Sequence, residues 1–534
     1  MAKLSILDCT LRDGAYIVDG NFGKNIIKGI ITNLIESKID IIEVGWLKNS
    51  PHNNNSTYYE YIEEIFPYLP EKKGESLISV MFDYGRYDIN KLSPNENNLV
   101  DAIRLVFPKE KHIEAIRFSN EIKQKGYKLY LQAANTLEYT EEELILLAKE
   151  TNKIKPVAIS IVDTFGVMYE EDLKKVFSIL DKHLDNDIQI GFHSHNNLQL
   201  SFALSISFIN MTQNSSRNII IDSSLVGMGR GAGNTCTELL TNYTNKYLNT
   251  NYDYNCIMDT IDLYMKKFVA NYNWGYSIPF CIAGQLGSHV NNIAYLQDVH
   301  KTEFKDMKMI LEMLPTKQRK FYNYDNLEEY YVKYFDKKID DKSSITKLKE
   351  KFSQKKVLLI CPGKSIEDEK NTILKYIEEY KPLIISINSF SPLFDYDYLF
   401  FSNKVRFDYA NKLNSKNFND ITKIITSNIK TVAGEKELLI NYNSLMQLGW
   451  KYFDNSTMMI LRLLEKLDVK DIAIAGFDGL DENGKISYND DVLQSNLTKQ
   501  ECIEINKDVQ EMFTDFKLKN KNILVQIITK SKYI

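Results

Sequence analysis

Short apolar runs alternate with longer stretches of helical periodicity over roughly the first 225 residues of the chain. The runs are rich in β-branched and aromatic residues, and most are almost continuously apolar, which is typical of parallel strands buried on both faces. Eight runs are present: Leu4–Leu7, Ile39–Val44, Leu77–Phe82, Ala102–Val106, Lys128–Gln132, Val157–Val162, Ile188–Phe192 and Ile219–Asp222. Eight βα units of this length predict an α/β fold of the (β/α)8 TIM-barrel type.

Polar and ionisable side chains collect at the carboxyl ends of these predicted strands. The active sites of TIM barrels lie on that face, so the pattern predicts an active site there. The residues concerned are Asp8, Arg12, Asp13, Glu43, Asp83, Gln132, Asp163, His193, His195 and Asp222.

Three segments follow from the same pattern. Residues 1–316 are predicted to form the barrel with a helical extension from about residue 255. Residues 317–354 are dense in charge and tyrosine and predict a solvated helical linker. From Lys356 a buried strand runs into the turn CPGKS, a helix and a second strand, so residues 355–534 are predicted to be a Rossmann-like α/β domain.

Composition narrows the class of protein. Hydrophobic residues make up 44% and charged residues 26%, which excludes a disordered or fibrous chain. The 66 Lys and Arg against 71 Asp and Glu leave a net charge of -5, so we expect small-molecule substrates and no nucleic acid. The six cysteines form no C-x-x-C pair, and we find neither a signal-like segment nor a membrane span. We therefore expect a cytoplasmic protein, with homo-oligomerisation left open.

The strongest chemical signal is GFHSHNN at residues 191–197. Alternation along a strand aims His193 and His195 the same way, so both imidazoles can reach one metal ion. Asp13, just after the first strand, offers a carboxylate at the same end of the barrel. Its neighbour Arg12 could hydrogen-bond an enolate oxygen as charge develops there. In the loop GMGRGAGN at residues 227–234, glycines such as Gly231 allow close backbone approach to a ligand.

Four motifs together resemble a known superfamily. LDCTLRDG, the DTFG at residues 163–166, GFHSHNN and GMGRGAGN, in this order, resemble the metal-dependent TIM-barrel aldolases and lyases of the 3-hydroxy-3-methylglutaryl-CoA lyase type, and most of all the 4-hydroxy-2-oxovalerate aldolases. The resemblance covers about residues 1–300. It implies that Asp13, His193 and His195 bind the metal, that Asn234 lies at or near it, and that Arg12 stabilises the enolate.

The chain also departs from these relatives. The loop SSLVGMGRGAGN has no cysteine, which argues against hydroxymethylglutaryl-CoA cleavage, and RDGAYIVDGNFG has no histidine to serve as base. Tyr16 and Asp19 stand nearby as candidates for proton transfer, with packing or capping as the alternative. Further candidates for substrate binding are Glu43, Asp163, Asp222, Gly231, Tyr276 and Asn291. His289 fits either a site role or helix packing.

The second domain has a fainter resemblance, to bacterial sialyltransferases and related nucleotide-binding domains, through CPGKS, ISIN and AGFDG. Gly363, Lys364 and Ser365 could hold a phosphate at the start of a helix. The last histidine of the chain is His300, so this domain has no counterpart of the histidine base of such transferases.

These observations predict a divalent-metal-dependent aldolase that joins or cleaves a pyruvate-type 2-oxo acid and an aldehyde. The metal is predicted to be Mn²⁺, with Mg²⁺, Co²⁺ and Zn²⁺ as alternatives. The second domain is predicted to bring a nucleotide-linked sugar, as in surface polysaccharide synthesis. Two alternatives stay open: a Claisen-type acyl transferase that uses acetyl-CoA, and a glycosyltransferase with a non-catalytic barrel.

Overall fold

The computed structural model describes residues 3–71, 74–96, 98–212, 217–300, 302–335, 339–412, 416–429, 431, 436–482, 487–488, 490 and 497–533. They form two compact units. The first, here called the barrel unit, comprises Met1–Ala294 and Glu303–Asn323. The second, here called the C-terminal unit, comprises Tyr295–Thr302 and Tyr324–Ile534.

Eight parallel strands close the barrel, as the sequence predicts. Each strand pairs with the next, and β1 pairs with both β2 and β8. The strands are β1 (Leu4–Asp8), β2 (Ile41–Leu47), β3 (Leu77–Asp83), β4 (Ala102–Phe107), β5 (Lys128–Ala133), β6 (Ala158–Asp163), β7 (Gln189–Ser194) and β8 (Ile219–Ser223). A two-residue strand, Tyr58–Tyr59, adds to β2 at the rim.

Helices cover the outside of the barrel and bury one apolar face each against the strands. They are Lys24–Glu36, His112–Gln124, Glu141–Ile154, Glu170–His183, Ser201–Thr212 and Thr237–Leu248, whereas the one-turn helices Thr10–Asp13 and Ala15–Val18 follow β1 at the mouth of the barrel. The crossovers after β2 and β3 contain 3-10 turns, Ile62–Tyr68 and Ile89–Lys91, where the sequence pattern predicts longer helices. Pro67 lies inside the first of these turns, and a proline removes the backbone donor that an α-helix needs.

The barrel interior has two layers of different chemistry. The lower layer is apolar and contains Leu7, Cys9, Ile41, Ala102, Tyr130, Ala158 and Ile220. Two residues further along the strands, the inward positions are polar. The side chains at these positions are all buried: Glu43, Arg104, Gln132, Ser160 and Asp222. Because side chains alternate along a strand, this second layer lies directly on the C-terminal side of the first. The polar layer is therefore the floor of the predicted active site.

The extension and the C-terminal unit supply the remaining helices. Those after the barrel are Tyr254–Thr260, Lys266–Asn271, Ile278–Gln285, Val290–Asp298, Phe304–Met313 and Thr316–Arg319. The C-terminal helices are Tyr324–Phe335, Lys342–Phe352, Ser365–Asp368, Lys370–Tyr380, Lys404–Lys412, Lys416–Asp420, Ser456–Lys466 and Lys499–Lys519. Within the described ranges, no helix is both long and apolar enough to cross a membrane.

The C-terminal unit contains a parallel sheet in the order β13-β12-β11-β10-β9-β14-β15. Its strands are β9 (Lys356–Ile360), β10 (Leu383–Ile387), β11 (Tyr398–Phe401), β12 (Thr422–Thr426), β13 (Glu437–Ile440), β14 (Asp471–Ala475) and β15 (Leu524–Ile527). The order of the strands reverses between β9 and β14. In open α/β sheets, ligands bind outside the carboxyl ends of the strands at such a switch point.

The segment predicted to be a solvated linker, residues 317–354, is divided differently in the structure. Its helices from Tyr324 onward belong to the C-terminal unit, together with Tyr295–Thr302. Leu327, Leu348 and Phe352 on these helices are fully buried. Apolar side chains three to four residues apart form one face of a helix. In the sequence this pattern is hard to recognise, because the segment also contains many charged residues.

Candidate metal centre

The turn after β1 places Arg12 and Asp13 inside the barrel mouth. A one-turn helix, Thr10–Asp13, begins directly after β1, and Asp8 accepts a hydrogen bond from the Thr10 backbone N–H at 2.9 Å. Asp8 also accepts from the Thr237 hydroxyl at 2.6 Å, and burial raises the pKa of Asp8 to about 6. Arg12 and Asp13 are both buried as a result of this tight turn.

Three ligand side chains converge above the barrel. One ligand atom each from Asp13, His193 and His195 lies within 4.8 Å of the others. The two imidazole rings, both from the end of β7, have their centroids 5.1 Å apart. The structure thus brings together the three residues that the sequence resemblance implies.

The chemistry of this donor set fits a divalent cation. Nδ1 of His193 lies 3.0 Å from Oδ2 of Asp222, which leaves Nε2 for a metal and orients the ring from behind. Among the described residues, Nδ1 of His195 and Oδ1 of Asn234 are buried without a hydrogen-bond partner. Unpaired polar atoms inside a protein are rare, so these atoms indicate that a further group binds here.

Electrostatics keep the ligands in the forms that bind metals. Burial would raise the pKa of Asp13, but the Arg12 guanidinium and the two histidines hold that pKa well below its usual range. Burial lowers the pKa of His195 to about 3. The carboxylate is therefore charged and this imidazole neutral at neutral pH.

Asn234 reaches the site through the glycine-rich loop after β8. Its amide Nδ2 donates to Oδ2 of Asp13 at 2.5 Å, and its backbone N–H donates to the Gly227 carbonyl at 3.0 Å. At Gly233, with φ at +78°, a Cβ would lie 1.9 Å from that carbonyl oxygen. Glycine is required there because the loop closes on itself just before Asn234.

Arg12 is held by two carboxylates. Its Nη1 donates to Asp13 at 2.6 Å, its Nε donates to Glu43 at 2.7 Å, and its carbonyl accepts from the Trp46 indole at 2.9 Å. Glu43, a candidate for substrate binding, thus orients Arg12. The Nη2 end of the guanidinium is the part engaged with neither Asp13 nor Glu43.

Arg104 was missed in the sequence analysis. This β4 side chain is 1% exposed; it donates to Glu43 at 2.8 Å and makes a very short contact with Asp222. Together with Arg12 it completes a buried series of alternating charges that runs from Asp13 to Asp222, the carboxylate beside His193. The signal was available in the sequence, since an arginine interrupts the apolar run AIRLVF.

Asp163 and Gly231 have structural contacts in the neighbouring loops. Asp163 accepts hydrogen bonds from the backbone N–H groups of Val167 at 2.9 Å and Met168 at 3.2 Å, and burial raises its pKa to about 7. At Gly231, φ is +65° and a Cβ would lie 2.8 Å from the Asn197 amide oxygen. Both residues shape the loops above the barrel.

The remaining barrel candidates lie near the rim. Tyr16 is 42% exposed, with the Arg230 guanidinium 4.1 Å from its ring centroid, whereas Asp19 is exposed at the end of the helix Ala15–Val18. Arg230, a second residue that the sequence argument passed over, also lies 3.2 Å from His289 Nε2. Asn291 donates its backbone N–H to His289, and Tyr276 is 53% exposed. Arg230 thus contacts both Tyr16 and His289.

The residues Gly363, Lys364 and Ser365 lie at the switch point of the second sheet. Ser365 donates its N–H and its hydroxyl to Asp478, at 2.7 Å and 2.5 Å, so a carboxylate already occupies the start of the short helix Ser365–Asp368. Gly363 lines a pocket at this switch point. Other residues of this pocket are Arg406, Asn455, Asp478, Tyr488 and Tyr533. Lys364 is exposed beside it.

Comparisons with known proteins relate the barrel to a family and to single enzymes. The HMGL-like family model matches residues 102–263. A 4-hydroxy-2-oxovalerate aldolase from Pseudoalteromonas translucida is 28% identical over 251 residues, which are 45% of this chain and 69% of that protein. The oxaloacetate decarboxylase of Mycobacterium tuberculosis is 21% identical over 243 residues, 44% of this chain and 68% of that protein.

One solved structure, the N-terminal domain of a candidate aldolase from Bacteroides vulgatus, is 26% identical, with a TM-score of 0.47, and covers 56% of this chain and 98% of that one. The family match lies within the barrel and includes both histidines of the metal centre. Over the barrel unit, the chain is similar to the metal-dependent TIM-barrel aldolases and lyases.

Proposed function

We propose that the barrel unit catalyses the reversible aldol reaction between the enolate of a pyruvate-type 2-oxo acid and an aldehyde. The observation that carries this proposal is the buried triad of Asp13, His193 and His195 with Arg12 hydrogen-bonded to the same Asp13. The chain is a metal-dependent carbon–carbon lyase. The substrates named for its relatives, 4-hydroxy-2-oxovalerate and oxaloacetate, are both 2-oxo acids.

We assign each residue of the site a separate chemical role. We propose that a divalent ion, Mn²⁺, is held by Asp13, His193 and His195 beside Asn234. This ion would act as a Lewis acid toward the 2-oxo acid. Arg12 directs its Nη2 group to the enolate oxygen, where negative charge develops. Glu43 keeps the guanidinium in that orientation through its bond to Nε. This arrangement stabilises the enolate before the aldehyde is attacked.

Tyr16 is our candidate for moving the proton at the substrate methyl carbon. Burial raises the pKa of Tyr16, and the Arg230 guanidinium over its ring opposes this shift and would stabilise the phenolate that accepts the proton. Asp19 is the second candidate, but it is exposed and ends a short helix. A tyrosine in this role would compensate for the histidine that the sequence lacks after β1.

Exchange of the methyl protons of pyruvate with deuterated water tests the proposal, because it needs no aldehyde. The holoenzyme should exchange these protons, a chelator should stop the exchange, and added Mn²⁺ should restore it. Tyr16→Phe should slow exchange by at least about tenfold, whereas the exposed Tyr247→Phe should leave it unchanged. Absence of exchange with pyruvate, 2-oxobutyrate and oxaloacetate alike would contradict the aldolase proposal.

We further propose that the C-terminal unit binds the nucleotide part of a nucleotide-linked sugar aldehyde. The pocket at the switch point of its sheet supports this proposal, with Arg406 lining it and Lys364 beside it. The backbone N–H of Ser365 already donates a hydrogen bond to Asp478. We therefore assign the phosphate contacts to Arg406 and Lys364 rather than to Ser365.

Calorimetry on the full chain with CMP, CDP, UDP and GDP tests this binding. One nucleotide should bind, and Arg406→Ala or Lys364→Ala should weaken it by about tenfold, the loss of one charge-assisted contact. Lys375→Ala, an exposed lysine of the same unit, is the matched control. No binding of any of the four would contradict the nucleotide role.

The same pocket favours one alternative function, a glycosyltransferase in which the barrel is not catalytic. Chelation separates the two functions, because the aldolase activity needs the metal bound in the barrel. Sugar transfer that survives chelation, in a protein that does not exchange pyruvate protons, would favour the transferase.

A further inference from the structure

Gln132, on β5, is buried with its amide unsatisfied. The residue is 2% exposed, and in the described part of the chain neither its Nε2 nor its Oε1 has a hydrogen-bond partner. It is the single side chain within the described residues for which two polar atoms are buried in this way. A buried donor or acceptor without a partner destabilises the fold, so proteins rarely leave both atoms of one amide unsatisfied.

The strand pattern places Gln132 in the floor of the active site. Tyr130 belongs to the apolar inner layer of the barrel, and alternation aims Gln132, two residues later, at the same interior. Its backbone register is opposite Val106 of β4 and Ser160 of β6. Glu43, Arg104 and Asp222 each follow a residue of the same apolar layer by two positions. Gln132 therefore shares a layer with the charged groups that orient Arg12 and His193.

The hydrogen-bonding groups of the Gln132 amide determine which ligands can satisfy it. Nε2 donates two hydrogen bonds and Oε1 only accepts. The carboxylate and keto oxygens of pyruvate are acceptors, so pyruvate could satisfy Nε2 and would leave Oε1 unpaired. An alkyl chain would satisfy neither atom. A hydroxyl group both donates and accepts, and it can pair with either atom of the amide.

We propose that Gln132 is a specificity-determining residue that hydrogen-bonds the hydroxyl groups of the acceptor aldehyde, so that the barrel selects hydroxylated, sugar-type aldehydes over alkyl aldehydes. The inference rests on the aldolase function proposed above. A site built to bond a hydroxyl rejects an analogue that lacks it strongly, because the buried polar atoms are then left unpaired.

Glyceraldehyde and propanal provide the test, because they have the same three carbons and differ in two hydroxyl groups. With pyruvate and the Mn²⁺-loaded full chain, kcat/KM should be at least about a hundredfold higher for glyceraldehyde. Gln132→Leu should reduce this preference to less than about tenfold, mainly by lowering the rate with glyceraldehyde. The exposed Gln124→Leu is the matched control and should retain the full preference.

Gln132→Met is a second variant in case Gln132→Leu does not fold, because the methionine side chain is similar in length to glutamine and packs flexibly. Circular dichroism and the metal content of each variant are measured in parallel, so that a folding defect is distinguished from a change in aldehyde preference. Equal rates with both aldehydes in the wild type, or an equal loss with both in the variants, would overturn the role of Gln132 and indicate an amide satisfied by water. Loss of pyruvate exchange in the wild type would instead contradict the aldolase function.

Discussion

The side-chain amide of Asn234 donates a hydrogen bond of 2.5 Å to Oδ2 of Asp13, the same oxygen that lies 4.0 Å from Nδ1 of His195. An isolated β-bridge also joins the backbones of His195 and Asn234. The loop after β8 thereby holds the carboxylate in place before any metal binds. A ligand that is already oriented loses less conformational freedom on binding.

Asn234→Ala should therefore weaken metal binding. Loss of a partner that orients a ligand typically reduces metal affinity by 10–100-fold. Competition with a chromophoric chelator measures the change, and Asn210→Ala, an exposed asparagine of the helix Ser201–Thr212, serves as the control. Unchanged affinity in Asn234→Ala would mean that Asp13 is oriented by Arg12 alone.

His193→Ala and His195→Ala should each remove stoichiometric metal without unfolding the chain. Both residues lie at the end of a strand above the packed barrel core, so their truncation removes ligands rather than core packing. Metal analysis after gel filtration gives the metal content, and circular dichroism confirms the fold. His183→Ala, on an outer helix, should keep its metal, and one metal per chain in both site variants would refute the ligand assignment.

Arg12→Lys should bind metal and still lose turnover by at least about a hundredfold. A lysine has one cationic nitrogen and cannot bond Glu43 and Asp13 while it also faces an enolate oxygen. Steady-state kinetics of aldol cleavage together with metal analysis separate the two effects. Near-normal turnover would remove Arg12 from the mechanism.

Arg104→Met should destabilise the barrel unit by about 3–5 kcal/mol, because it leaves Glu43 and Asp222 buried without their shared cation. Denaturant unfolding measures the loss. The comparison is Arg117, whose exposed side chain pairs with the buried Glu150. Lys153 also pairs with Glu150, so Arg117→Met should cost less than about 1 kcal/mol. Adding Glu43→Gln to Arg104→Met should recover part of the loss if buried charge is the cause.

The C-terminal unit should lose stability above neutral pH through His300. Its Nε2 lies 2.9 Å from Glu328 and its Nδ1 lies 3.5 Å from Asp454. Burial lowers the pKa of His300, but the two carboxylates raise it to about 9, above the value of about 6.5 expected in the unfolded chain. The imidazolium therefore stabilises the folded state fully below about pH 6.5, and this contribution is lost as the pH rises through about 9.

The expected loss between these limits is about 3 kcal/mol in the free energy of unfolding. Denaturant unfolding at several pH values from 6 to 10 measures it, and His300→Gln should abolish most of the pH dependence. A variant with the slope of the wild type would assign the dependence to the neighbouring tyrosines, among them Tyr331, which is stacked on the His300 ring at 3.9 Å.

The amino-acid sequence by itself determined the barrel and the place of its candidate active site. The apolar runs mark the strands to within two or three residues, because a strand buried on both faces excludes polar side chains along its length. Polar residues then stand where the strands end, and a parallel barrel brings all of those ends together. Asp13 and His195 therefore meet although 181 residues lie between them in the chain.

Only the tertiary structure decided which polar residues orient others and which are unsatisfied. In the sequence, Arg104 and Gln132 are two polar interruptions of apolar strands. In the structure, Arg104 pairs with two carboxylates, whereas neither amide atom of Gln132 has a partner in the described residues. Tertiary contacts also assigned Tyr295–Thr302 to the C-terminal unit and placed the Asp478 carboxylate on Ser365. Hydrogen bonds and ion pairs join residues far apart in the chain, whereas periodicity reports only the local distribution of apolar surface.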